Sequence, residues 1–244
     1  MTRRALLAPV LGLAMAVSLL APALMAPTPA EAAKGKKAPN AWAAYLWPAG
    51  MSCTYDDARP DGTTQGRIRV AKRSATMVKI RWNGGGTQAW SLAAGGRMEQ
   101  PDRYKRGATT NVVHQAYPTV SQVRAKRGET TLTVKRIVKY SAKGAKGFLK
   151  KGRTMTVTGM YRVKGLGTKT LALPEGSVSA IGVGVKLRSI TVENLRKEHV
   201  GSVKDFYRPG MKAVEGDEWW AKGRGVVRWT FDGGRGSSTQ RSCS

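Results

Sequence analysis

The chain's two histidines, His114 in NVVHQAY and His199 in RKEHVG, are its readiest general acid/base groups. Glu198 beside His199 has part of a zinc-peptidase spelling. Both the HExxH and the HxxEH patterns fail, however, and Leu195 stands where a second histidine is needed. No GxSxG elbow occurs. GLGTKT at 165–170 lacks the spacing of a phosphate-binding loop. Asp56, Asp57 and Asp61 in YDDARPDG could gather a calcium ion, but they miss the EF-hand spacing and read as surface-turn residues. The residues therefore predict a non-enzymatic protein with no metal and no cofactor. A hydrolase with an unfamiliar site would have to place His114 or His199 in a cleft beside a carboxylate.

The second chemistry on offer is charge. Lys and Arg number 42 against 15 Asp and Glu, a formal +27. A surplus of that size concerns partners rather than fold, because it favours any polyanion nearby. Two groups of cations stand out. Arg67, Arg69, Lys79 and Arg81 alternate with apolar residues and are expected to point outward from a sheet. Lys143, Lys146, Lys150, Lys151 and Arg153 surround Phe148 and Leu149 in KGAKGFLKKGR. That mixture suits an anionic surface, with ammonium groups on phosphates and an apolar tip entering the headgroup region. It is equally the composition of a hairpin loop whose Phe148 and Leu149 fold back. An anionic cell-wall polymer or an anionic lipid surface is the expected partner. Nucleic acid is a third candidate, since Trp82, Trp90, Tyr104, Trp219 and Trp220 are interleaved with cations and could stack bases.

The elements that must position these groups are mostly strands. Ile68 and Val70 alternate with Arg67 and Arg69, and Val78, Ile80 and Trp82 with Lys79 and Arg81. Met155, Val157, Gly159, Tyr161 and Val163 share one face, as do Val227, Trp229 and Phe231. Lys135 and Arg136 interrupt one such pattern, which suggests a bulge. NAWAAYLW is the best helical segment, with Asn40 as its cap and Pro48 as its end. In DFYRPGMKAV, Pro209 and Gly210 together predict a tight turn between strands. DEWW predicts the following turn, with one indole buried and the other covering an edge. The fold class is mainly β: one antiparallel, strongly curved sheet or half-barrel with at most one or two short helices.

Compartment follows from the first residues. MTRR precedes an apolar stretch from Ala5 to about Met25, and Ala30 and Ala32 have the placement of a signal-peptidase site. These predict a secreted, extracytoplasmic protein, with 1–32 a leader cleaved after Ala32, 33–40 a basic flexible tether and 41–244 a single β-rich domain. No cysteine follows the apolar stretch to accept a lipid. Cys53 and Cys243, an even pair in an oxidising compartment, predict a disulfide that brings the two ends of the domain together.

Three signatures run in order through the domain. The first is YLWPAGMSCTYDDARPDG, with Tyr45, Pro48, Gly50 and Tyr55. The second is LPEGSVSAIGV, from Leu173 to Val183, after a strand ending in YRVKGLGTKTLAL. The third is formed by Tyr207, Pro209, Gly210 and Val214, with Lys212 in place of a second glycine. On these residues the chain resembles a diffuse family of secreted or lipid-anchored bacterial β-rich proteins. The resemblance implies a curved sheet or half-barrel similar to the lipoprotein-carrier scaffold, and it brings no enzyme activity. It also opens an alternative function, the carriage of a lipid or other apolar ligand inside the curved sheet.

Overall fold

The computed structural model describes residues 40–83 and 86–244. The expected leader over 1–32 and all but the last residue of the expected tether lie outside the described residues. Twelve strands follow one another along the chain: β1 (Ser52–Arg59), β2 (Gly62–Arg73), β3 (Met77–Trp82), β4 (Thr87–Leu92), β5 (Met98–Arg106), β6 (Thr109–Tyr117), β7 (Glu129–Lys139), β8 (Thr154–Leu173), β9 (Gly176–Glu193), β10 (Gly216–Ala221), β11 (Gly225–Phe231) and β12 (Gly236–Cys243). Each pairs antiparallel with its neighbour in sequence, and β1 pairs with both β2 and β12. The curved sheet therefore closes completely into a barrel, where the sequence suggested a half-barrel. Closure leaves no unpaired edge to cover. Three short α-helices are described where one or two were expected: α1 (Val120–Arg124), α2 (Ala142–Ala145) and α3 (Val200–Lys212).

The two-residue period decides which side chains enter the core. Ile68, Val70, Val78, Ile80, Met155, Val157, Tyr161 and Val163 are buried, while Arg67, Arg69, Lys79 and Arg81 are exposed. Gly159 belongs to the inward face. A Cβ there would stand 2.8 Å from the Met211 sulfur and 2.9 Å from the Tyr161 ring, so the missing side chain makes room for both.

Two expectations about strand faces fail for local reasons. No register shift occurs at Lys135 and Arg136. Instead β7 keeps its alternation and turns Arg136 inward, where Nη2 donates to the Gly210 carbonyl at 3.3 Å and the guanidinium lies 5.9 Å from the Tyr207 ring. A carbonyl at a helix C-terminus suits a cation. The second failure is at β11. A bulge between Trp219 and Trp220 pairs Glu218 with Trp229 and Trp220 with Val226. Val227 therefore leaves the face of Trp229 and packs with Leu171, Leu173, Ala180 and Ala221 in a separate cluster.

Helical segments close the barrel ends. At one end a 3-10 helix over Ala41–Tyr45 is capped as expected, the Asn40 side chain accepting from the Trp42 backbone N–H at 3.0 Å. Trp42 and Trp47 sink into the core, and Trp42 Nε1 donates to the Pro118 carbonyl at 2.8 Å. Gly165 of the GLGTKT string lets α1 approach β8, since a Cβ there would lie 2.6 Å from the Val123 Cα.

At the other end, the turn expected at Pro209 and Gly210 is instead the last part of α3. Val200, Val203, Tyr207 and Met211 fall at helical spacing and pack on the core. That burial outweighs the turn preference of the Pro-Gly pair. Pro209 is exposed, as is Asp205, whose carbonyl loses its helical partner to the missing N–H and can turn to water. DEWW is not a turn either, but the body of β10. Trp220 is buried, and Trp219 lies on the opposite face above Gly182.

Cys53 and Cys243 are bonded, with an S–S distance of 2.12 Å. They are register partners across the β1–β12 seam.

Candidate functional site

The outer face of β2 and β3 gathers cations by register. Arg69 is the Cα partner of Arg81, and Lys72 of Lys79, the latter pair set by a shift between Val70 and Lys72. Arg67 continues the same face. Its flanking partners are small and neutral: Ser52 opposite Arg69 and Thr54 opposite Arg67 on β1, Thr87 opposite Arg81 and Ala89 opposite Lys79 on β4. Among the described residues, no carboxylate forms an ion pair with any of these five cations. Like charges directly opposite one another disfavour the sheet, so this face carries electrostatic strain that an anion would relieve. Lys72 was missed in the sequence because the bulge that turns it outward has no marker there.

The second group of cations does not join the first. Lys143, Lys146, Lys150, Lys151 and Arg153 are exposed in the β7–β8 connection. Three strands separate β7 from β3 in the barrel order. The membrane tip expected at Phe148 and Leu149 is absent. Phe148 packs edge-on to Tyr140 at 5.5 Å and against His199 at 5.2 Å, while Leu149 is buried in an isolated bridge to Leu195. Both side chains find apolar partners within the protein and fold back.

Inside the barrel lies a cavity of about 220 Å³ lined by Trp47, Tyr55, Trp82, Gln88, Trp90, Gln100, Glu218, Val226 and Trp229. Trp82 and Trp229 stand edge to face at 5.7 Å, while Tyr55 and Trp229 at 5.0 Å and Trp47 and Trp90 at 5.1 Å are tilted to each other. Alternation along β10, which pairs with β9 without a shift, puts Glu218 on the same inward face as Trp220 and so into this aromatic wall. Its Oε2 accepts from the Tyr117 hydroxyl at 2.9 Å and its Oε1 from Gln115 Nε2 at 3.4 Å. Burial outweighs these hydrogen bonds and pushes the Glu218 carboxyl above its ordinary range. Tyr55 donates to the Val226 carbonyl at 2.8 Å, and burial raises its pKa to about 12. Sequence reasoning missed Glu218, because one carboxylate among four tryptophans distant in the chain has no linear signature. The cavity is smaller than the roughly 300 Å³ of common ligand pockets, so an apolar cargo carried there would have to be small.

Neither histidine lines this cavity. His114 is exposed on β6, with Nε2 3.7 Å from Glu99 Oε2, and His199 precedes α3 against Phe148. Asp56 approaches Arg241 at 3.6 Å, and Asp57 accepts from the Ser238 hydroxyl. Among the described residues no cluster of three or more His, Cys, Asp or Glu could hold a metal. No described helix is long and apolar enough to cross a membrane. Of the aromatics considered for base stacking, Trp90 and Trp220 are buried, and Tyr104 is the one with large exposure.

The fold and these sites define a closed twelve-stranded antiparallel barrel with a cationic wall outside and an aromatic, carboxylate-bearing cavity inside. No protein-family model matches the chain, and no curated protein is similar to it in sequence. Among solved structures it is similar to a provisionally named lipoprotein of Parabacteroides distasonis, at 11% identity over 82% of this chain and 97% of that one, with a TM-score of 0.44. It is also similar to a provisionally named exported protein with a YmcC-like fold from Bacteroides fragilis, at 13% identity over 82% and 99%, with a TM-score of 0.41. Neither likeness carries a residue role across.

Proposed function

We propose that the protein is a secreted, non-catalytic component of the cell envelope that binds anionic polymer through the outer face of β2 and β3. The observation behind this reading is the pairing of Arg69 with Arg81 and of Lys72 with Lys79, without carboxylate partners among the described residues. A polymer with regularly spaced phosphates or carboxylates would turn that repulsion into attraction. With Leu149 buried and Phe148 half-buried, the protein lacks the exposed apolar tip that a bilayer would take up, which favours polymer over lipid. The leader expected over 1–32 would deliver the domain to the compartment where such polymers are found.

The test is retention on purified cell-wall fragments across a salt series, with anionic vesicles run in parallel. Binding to walls should fall steeply with ionic strength, because exposed charge contacts are screened. The double variant Arg69→Ser/Arg81→Ser should lose more retention than Lys150→Ser/Lys151→Ser on the other wall. Retention indifferent to salt, equal loss in both variants, or a preference for vesicles would overturn the reading.

A further inference from the structure

Glu218 is anomalous in this chain. The protein carries 42 Lys and Arg, yet among the described residues none forms an ion pair with this carboxylate. Its oxygens are instead fixed by neutral donors. Tyr117 donates to Oε2 and Gln115 to Oε1, and Tyr117 in turn receives Trp90 Nε1 at 3.5 Å. Two hydrogen bonds occupy about half of the acceptor positions of a carboxylate. Glu218 is only partly exposed, towards the cavity; a carboxylate so largely removed from water with no cation is costly, and the usual remedies are protonation or a charged partner.

The surroundings specify what that partner would be. Four indoles and the Tyr55 ring form the wall, and aromatic faces carry negative quadrupolar charge that attracts cations, most strongly where water is excluded. Trp47 and Trp90 are almost fully buried, whereas Trp82 and Trp229 are half-buried and so form the accessible rim. Gln88 is already engaged, its Oε1 accepting from Trp82 Nε1 at 3.0 Å, and it fixes the wall rather than offering itself to a hydroxyl-rich ligand. The volume of about 220 Å³ exceeds the roughly 150 Å³ that holds one benzene, so there is room for a single compact molecule.

We infer that this cavity binds a small organic cation of the quaternary or methylated ammonium class, its charged head enclosed by Trp47, Trp82, Trp90 and Trp229 and paired with Glu218. The site is separate from the cationic outer face, and the two can succeed or fail independently. No described Lys or Arg lines the cavity, so the carboxylate remains available to a ligand.

Choline serves as the probe, set against its neutral carbon isostere, in which a tert-butyl group replaces the trimethylammonium. Titration calorimetry and indole fluorescence on the wild-type protein should show choline binding at least about tenfold more tightly than the isostere. Glu218→Gln should shrink that difference to the part the indoles supply, and Trp82→Leu at the rim should weaken choline. Arg69→Ser/Arg81→Ser should leave choline binding unchanged, which separates this site from the polymer-binding face. Equal affinity for the isostere would mean a merely apolar cavity, and absence of choline binding would mean a structural one. Either result overturns the inference, as does unaltered choline binding by Glu218→Gln. The comparison of the two ligands on the wild-type protein decides the matter even where a variant fails to fold.

Discussion

Cys53 on the first strand and Cys243 on the last are Cα partners 4.1 Å apart, and their disulfide fastens the barrel at the seam where its two ends meet. Backbone bonds just outside repeat the link, Ser52 N–H to the Ser244 carbonyl at 2.8 Å and Ser244 N–H to the Ser52 carbonyl at 2.9 Å. The bond spans a sequence separation of 190, for which chain entropy gives about 5 kcal/mol. Cys53→Ala/Cys243→Ala should therefore unfold at markedly lower urea concentration. In hydrogen exchange, β1 and β12 should lose protection before β8 and β9. Unchanged stability would show that the seam holds without the bond.

Arg69 and Arg81 are expected to oppose stability while serving binding. Removing one member of a like-charged cross-strand pair relieves up to about 1 kcal/mol. Arg81→Thr should raise the thermal midpoint slightly at low salt, with the gain shrinking as salt screens the pair. A loss of stability would mean that these side chains are structural props.

The pH dependence of Glu218 has a definite sign. Its folded pKa is raised, chiefly by burial, so the fold prefers the protonated form. The associated stability is fully present below the unfolded value of about 4.3 and is lost as pH rises through the folded pKa. Against Glu218→Gln, the wild-type thermal midpoint should therefore decline as pH climbs out of the ordinary glutamate range. Parallel profiles for the two proteins would contradict this.

Gly225 has φ +71°, and a Cβ there would stand 2.0 Å from the Trp47 ring. Gly225→Ala combines backbone strain with overpacking and should cost roughly 2–5 kcal/mol, measured by urea unfolding. Because Trp47 must move, choline-induced fluorescence changes should disappear along with the lost stability. A near-neutral substitution would show that Trp47 can relocate freely.

Alkaline titration should separate the tyrosines. Burial raises Tyr55 to about 12 and lifts Tyr117 and Tyr161 above the ordinary tyrosine range as well. The stability from these groups is complete below the unfolded value of about 10 and drains away as pH climbs towards their folded values. Tyrosinate absorbance from them should appear together with loss of the near-ultraviolet circular dichroism signal. Their ionisation with the fold intact would contradict the packing described.

The sequence alone determined strands such as β2, β3, β8 and β11, the outward aim of Arg67, Arg69, Lys79 and Arg81, the Asn40 cap and the Cys53–Cys243 pairing. Each rests on a local period, a single capping residue or a count of two, none of which needs knowledge of distant neighbours. Tertiary structure decided what depends on residues far apart in the chain. Closure into a barrel required β1 to meet β12. The helical fate of Pro209 and Gly210 was decided by Val203 and Met211 burying themselves at the barrel end, against the local preference for a turn. Phe148 and Leu149 folded inward because Tyr140, His199 and Leu195 lay there to receive them. The cavity joins β1, β3, β4, β5, β10 and β11 around Glu218. Which face of β10 turns inward, carrying Glu218 beside Trp220, is a matter of strand register, which energies summed over the whole sheet select and no short stretch of sequence encodes.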